Sequence, residues 1–191
     1  MNRLAFLSLV AASLFFGSCG RVHTLTPIAA ETEASLQAEL EGTWKLGEGV
    51  FHIAFDKSGH GHFAWLEWEN DQFVKSEGRF NAVRTPDDAE KGFISLNPDE
   101  EGEEEAGFLF GAFKIVSPDS VLLWDTGELE SYESLLEEED LVGKMKGSGH
   151  SRSAVFFDGP ELAEHVDEFG EYFNLEDPII MTRVIPQDHD E

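Results

Sequence analysis

The chain has 191 residues and a formal net charge of -26, from 13 Lys and Arg against 39 Asp and Glu. That surplus of carboxylates excludes nucleic acid as a specific partner, because phosphate binding needs the opposite sign, and it opposes adsorption of a folded domain onto anionic lipid. Cys19 is the only cysteine, which excludes an internal disulfide.

Residues 1–18, MNRLAFLSLVAASLFFGS, place one basic residue near the start, then an apolar stretch, then small residues before Cys19. This is the pattern of an export signal, and its apolar part is too short for a comfortable transmembrane helix. The run Phe16-Gly17-Ser18-Cys19 resembles the lipobox of bacterial lipoproteins. The resemblance implies cleavage before Cys19, palmitate or a similar acyl chain at its sulfur, and a membrane anchor. Gly20 in place of Asp implies the outer membrane, with the protein facing the periplasm. An ordinary secretory signal with an incidental cysteine is the other reading. Residues 19–40 are expected to form a tether: RVHTLTPIAA lacks amphipathic pattern, and ETEASLQAEL has at most a short helix with Leu36 and Leu40 on one side.

A single globular β domain is expected over residues 41–186, followed by a frayed tail at 187–191. Its organising stretch is Gly42 to Arg84. The Asp56–His60 loop, with Gly59 free to take positive φ, joins VFHIAF to HFAWLEW and sets Phe51 opposite Trp65, Ile53 opposite Phe63 and Phe55 opposite Gly61. The Asn70-Asp71 turn then sets Trp65 opposite Ser76 and Glu67 opposite Val74. With period-two alternation, Phe51, Ile53, Phe55, Phe63, Trp65 and Phe80 share an inner face, and His52, His62, Leu66, Lys75, Glu77 and Arg79 share a wet one.

Gly42-Thr43-Trp44, beside the first strand, resembles the GxW motif of the lipocalin and calycin families. The resemblance implies a mainly β fold, an antiparallel eight-stranded barrel, with Trp44 closing one end under an arginine of the last strand. Arg183 in IIMTRVI stands where that arginine would be. A guanidinium over an indole is physically sensible, because the cation meets the ring quadrupole while its donors reach loop carbonyls.

Beyond Arg84, TPDDAEKG reads as a loop, FISL as a short strand, FLFGAFKIV as a longer one with Leu109, Phe113 and Ile115 inward, and VLLWD as the next. ELESYESLLEEEDL spaces Leu129, Tyr132, Leu135 and Leu136 at helical period. GPELAEHVDEFGEYF does the same for Leu162, Val166, Phe169 and Phe173, after Gly159-Pro160 in helix-start positions. One or two helices in the C-terminal half should therefore pack on the barrel. RSAVFF between them is a strand.

No residue set fixes a reaction. The run Asp99–Glu105 has six carboxylates in seven residues but not the spaced order of a calcium loop. His52, His60 and His62 share a solvated face beside Arg79, so no metal site is expected. There is no nucleophile elbow, and Gly147–His150 reads as a connector. The expectation is a non-enzyme without cofactor. The leading reading is a lipid-anchored, lipocalin-like carrier of a small apolar or amphipathic ligand. Its lining would be Phe51, Ile53, Phe55, Phe63, Trp65 and Phe80, with Glu67 as a polar anchor. The alternative is an envelope interaction or structural lipoprotein, with those side chains filling the barrel and an acidic surface meeting a basic protein partner. Oligomeric state stays open.

Overall fold

Eight strands close on one another. The computed structural model describes residues 21–69, 71–98, 107–138, 141–148, 152–166 and 169–184. The export signal, Cys19, the Asp99–Glu105 run, His150 and the tail lie outside the described residues. In chain order the elements are β1 (Arg21–Thr24), α1 (Ala34–Leu40), β2 (Gly42–Leu46), β3 (Gly49–Phe55), β4 (Gly61–Glu69), β5 (Gln72–Thr85) and β6 (Asp88–Pro98). There follow β7 (Phe108–Ser117), β8 (Ser120–Trp124), α2 (Leu129–Glu138), β9 (Gly143–Lys146), β10 (Ser153–Phe156), α3 (Gly159–His165), α4 (Phe169–Tyr172) and β11 (Ile179–Arg183). Strands β2 to β8 form an antiparallel meander, and β11 closes it by pairing with both β8 and β2. The fold is therefore mainly β, a closed antiparallel barrel with short helices packed on it, and closure removes the exposed edges of an open sheet.

The hairpin registers follow from the turns. Phe51 pairs with Trp65 and Ile53 with Phe63 across β3–β4, and Trp65 pairs with Ser76 and Glu67 with Val74 across β4–β5. Gly59 at φ 80 and Asp71 at φ 63 take the left-handed conformations that these tight connections require. With register set, the alternation puts Phe51, Ile53, Phe63, Trp65, Phe80 and Ala82 indoors, joined by Ile94, Leu96, Leu109, Phe113, Leu123 and Met181 from the other strands.

Residues 21–40 were expected to be a tether, and from Arg21 onward they are part of the fold. Strand β1 lies between β7 and β10, so both its backbone edges are paired, and Val22 and Thr24 are buried. Beyond β1, Ile28 and Thr32 are buried, the Thr32 hydroxyl accepting from the Ala82 N–H at 3.1 Å, and Leu36 and Leu40 of α1 join the barrel core. The signal is weak in sequence because β1 is four residues long and its partner β10 is more than a hundred residues away.

Two further expectations change. The loop TPDDAEKG is shorter than it reads, because a register shift between Arg84 and Thr85 brings Thr85 opposite Asp88 and β6 starts there. The stripe from Leu162 to Phe173 is two short helices, since Val166, at ψ 79, turns the chain out of α3.

A second core lies outside the barrel. Phe93, Phe110, Ala112 and Trp124 face outward from β6, β7 and β8. They are covered by Val22 and Ile28, by Tyr132 and Leu135 of α2, by Ala154 and Phe156 of β10, and by Leu162 and Phe173. The segment between β8 and β11 is thus a buttress with its own apolar filling. This explains why β7 is apolar on both faces.

Candidate functional site

The six aromatic and aliphatic side chains read as ligand lining do come together. Phe51, Ile53, Phe63, Trp65 and Phe80 are all buried, and Phe55 packs against them from a half-buried position. Phe51 stacks on Phe63 at 5.4 Å between centroids, with Trp65 at 6.3 Å, and Phe55 meets the edge of Phe80 at 6.1 Å. Among the described residues, the void between them and the opposite wall measures about 10 Å³ and is lined only by apolar groups, among them Leu40, Phe51, Phe80, Phe113 and Met181. One water needs roughly 10–15 Å³ and a ligand pocket roughly 300–1,000 Å³. The interior is therefore packed. Glu67 sits half-buried beside this core, where its carboxylate accepts the Trp65 indole N–H at 3.3 Å.

The end of the barrel near α1 is closed by Trp44 and Arg183. The Trp44 indole N–H donates to the Leu40 carbonyl at 2.8 Å, which ties α1 to β2. The Arg183 guanidinium lies 4.1 Å from the Trp44 ring centroid. Its Nε donates to the Pro118 carbonyl at 2.9 Å, Nη1 to Glu41 at 2.7 Å and Nη2 to Glu39 at 2.6 Å. One side chain thus joins the β7–β8 turn, the end of α1 and the start of β2. Gly42 makes room for it: a Cβ there would lie 2.6 Å from Arg183 Nη1. The geometry explains the Gly-x-Trp spacing as structural, with no reacting group involved.

No family model, curated protein or solved structure matches the chain. Its candidate surfaces therefore rest on their own chemistry. His52, His60 and His62 are exposed, with His52 Nδ1 3.0 Å from Thr43 Oγ1 and His60 3.4 Å from Asp56. The backbone N–H groups of His60 and Ser58 hold the Asp56 carboxyl below its ordinary value. Among the described residues no group of His, Cys, Asp and Glu is arranged to hold a metal ion.

The buttress carries an open cleft of about 800 Å³ between the start of α2 and the segment 170–176. Glu128, Glu130, Glu171 and Glu176 line it, with Arg152 as the one cation among its lining residues, ion-paired to Glu133 at 2.6 Å. Nothing in the helical spacing of the sequence shows that these carboxylates face one hollow. Trp68 and Phe73, which no expectation singled out, are 53% and 67% exposed. Their outward direction was available from the same register that placed Leu66 outdoors.

Proposed function

We propose that this protein is an exported, lipid-anchored, non-enzymatic interaction protein of the bacterial envelope. It is built on a filled barrel of lipocalin-like type and meets basic partners through its acidic surface. The observation that carries this reading is the packed interior. A void of about 10 Å³ is far smaller than a carried ligand, which supports a barrel that serves as a rigid scaffold with recognition on the outside. Two features support it. The export signal and lipobox pattern end at Cys19, two residues before the first strand. The buttress cleft gathers four glutamates, a surface suited to a Lys- or Arg-bearing segment.

The test is a titration of intrinsic tryptophan emission with fatty acids, retinoids and haem. A scaffold gives no saturable change in the buried Trp65, and a saturable quench with a defined endpoint would restore the carrier reading. The anchor is tested separately: Cys19→Ala should release the protein from membranes, and unchanged fractionation would remove that part of the proposal.

A further inference from the structure

The barrel end that Trp44 and Arg183 close is not covered evenly. Between α1 and the rims of β5 to β8 lies a cleft of about 950 Å³, at the upper end of the roughly 300–1,000 Å³ that ligand pockets occupy. Two breaks in strand register border it. Between the pairs Arg84–Gly92 and Thr85–Asp88, the residues Ala89, Glu90 and Lys91 of β6 have no counterpart on β5. Between the pairs Ile115–Val121 and Ser117–Ser120, Val116 of β7 has none on β8. An extra residue bends its strand and re-aims its side chains, and such bulges are over-represented at barrel rims next to active sites. Here Ala89, Glu90, Ile115 and Val116 all line the cleft.

Arg84 is the last residue of β5 before the first break. By alternation it shares the inward face of Phe80 and Ala82, at the rim of the barrel, and its side chain is only 18% exposed. Its Nη2 donates to the Glu39 carboxylate of α1 at 2.7 Å, and among the described residues its Nε and Nη1 meet no acceptor. Donors drawn this far out of bulk water are costly to leave unsatisfied, and the cleft is the side from which an acceptor reaches them.

The other charges of the cleft are nearly all matched. Arg183 commits Nε, Nη1 and Nη2 to three carbonyls, with Asp119 3.7 Å from Nε. Glu90 pairs with Lys114 at 3.6 Å, and Glu39 with Arg84. Among the described residues, the lining carboxylate without a cation is Glu33, which accepts from Ser35 Oγ at 2.8 Å. A net charge of -26 disfavours the approach of a simple anion, and a simple cation has nothing to offer Arg84. A zwitterion brings both charges and no net one. Ala38, Ile115, Val116 and Pro118 give its body an apolar wall, and Val116 is 57% exposed there. We propose that this cleft binds a small zwitterion with an aliphatic body, of the class of the aliphatic α-amino acids, its carboxylate on Arg84 and its ammonium on Glu33. The site goes beyond the interaction reading above and depends on neither the lipid anchor nor the acidic cleft of the buttress.

The full chain, isotope-labelled for NMR, is titrated with three probes: leucine, isocaproate, which is leucine without its ammonium, and isoamylamine, which is leucine without its carboxylate. The Arg84 Nε–H resonance and the backbone amides of Ala89 and Val116 are followed. Leucine is expected to move all three saturably, isocaproate to bind more weakly, and isoamylamine to leave Arg84 unmoved. Arg84→Lys keeps a cation for Glu39 but loses the planar fork, and should weaken leucine by roughly tenfold or more. Because that variant can also disturb the rim, Glu33→Gln, a change at an exposed side chain, is measured beside it. It should weaken leucine and leave isocaproate unchanged, which a merely structural effect would not do. No saturable shift with leucine would overturn the site. Isocaproate binding as tightly as leucine, or isoamylamine moving Arg84 as leucine does, would overturn the zwitterion. Equal weakening of leucine and isocaproate by Glu33→Gln would overturn the role of Glu33 and the proposal with it.

Discussion

Phe113 offers the sharpest perturbation of the packed interior. It is fully buried on β7, lines the 10 Å³ void, and fits only because Gly92 on the neighbouring strand has no side chain: a Cβ there would lie 2.6 Å from the ring. Phe113→Ala returns about 100 Å² of apolar surface to the ledger at ~25 cal/mol per Å², or about 2.5 kcal/mol. The barrel wall is hydrogen-bonded all round and cannot collapse inward, so a void of roughly 80 Å³ should persist, adding about 2 kcal/mol at ~24 cal/mol per Å³. The sum, about 4.5 kcal/mol, should lower Tm by roughly 9–18 °C in a chain of this size. The assay is urea unfolding followed by tryptophan emission, with the midpoint falling and the slope unchanged. Benzene should raise the stability of the variant and leave that of the parent untouched, since only the variant has a dry cavity large enough. A loss under about 1 kcal/mol would refute the reasoning, because it would mean the ring was never tightly packed.

Other parts of the structure give further expectations. Arg183→Ala should cost roughly 2–3 kcal/mol, from three donated hydrogen bonds and the stacked indole, and Arg183→Lys should recover little because an ammonium lacks the planar fork; full rescue by lysine in urea melts would contradict the closure described. Tyr132 donates to the Tyr172 carbonyl at 2.7 Å, and its burial, with the Asp125 carboxylate and Tyr172 nearby, pushes its phenol well above the ordinary value near 10. A group whose folded pKa is raised contributes fully below the unfolded pKa and loses that contribution as pH climbs above it. Stability should therefore fall above about pH 10, and Tyr132→Phe should flatten that limb while losing about 1–2 kcal/mol at neutral pH. In a carboxyl NMR titration Asp56 should protonate at lower pH than an ordinary aspartate, and replacing Asp56 by Asn should remove whatever acid-side dependence that site contributes.

Much of the barrel was legible because its information is local. Two turn signals and period-two alternation from Phe51 to Phe80 fix the register of three strands, and a slip of one residue would put Ile53 and Phe63 in water. Lys144 and Lys146 on β9, and the short β1, carry no such pattern: β9 has no apolar alternation to betray it although its partner β10 is near in the chain, and β1 is held by neighbours distant in sequence. Phe93, Phe110 and Trp124 were ambiguous for a different reason. A strand with apolar side chains on both faces says that it is covered twice, but not by what. The candidate lining residues were found correctly as an inward set. Whether they enclose space or fill it depends on the opposite wall, on Phe113, Leu123 and Met181, and on how far Leu40 reaches in from α1. Those are sums over the whole barrel, beyond any single hairpin.

The account depends on the interior of the barrel being solid. The most direct test is to place crystals of the protein under xenon pressure and look for electron density inside the ring of strands. The structure predicts none among Phe51, Phe80, Phe113 and Leu123, where the remaining space is smaller than one xenon atom needs. Xenon seated there at high occupancy would mean that the barrel holds an openable chamber, and that its aromatic lining is there to receive a guest.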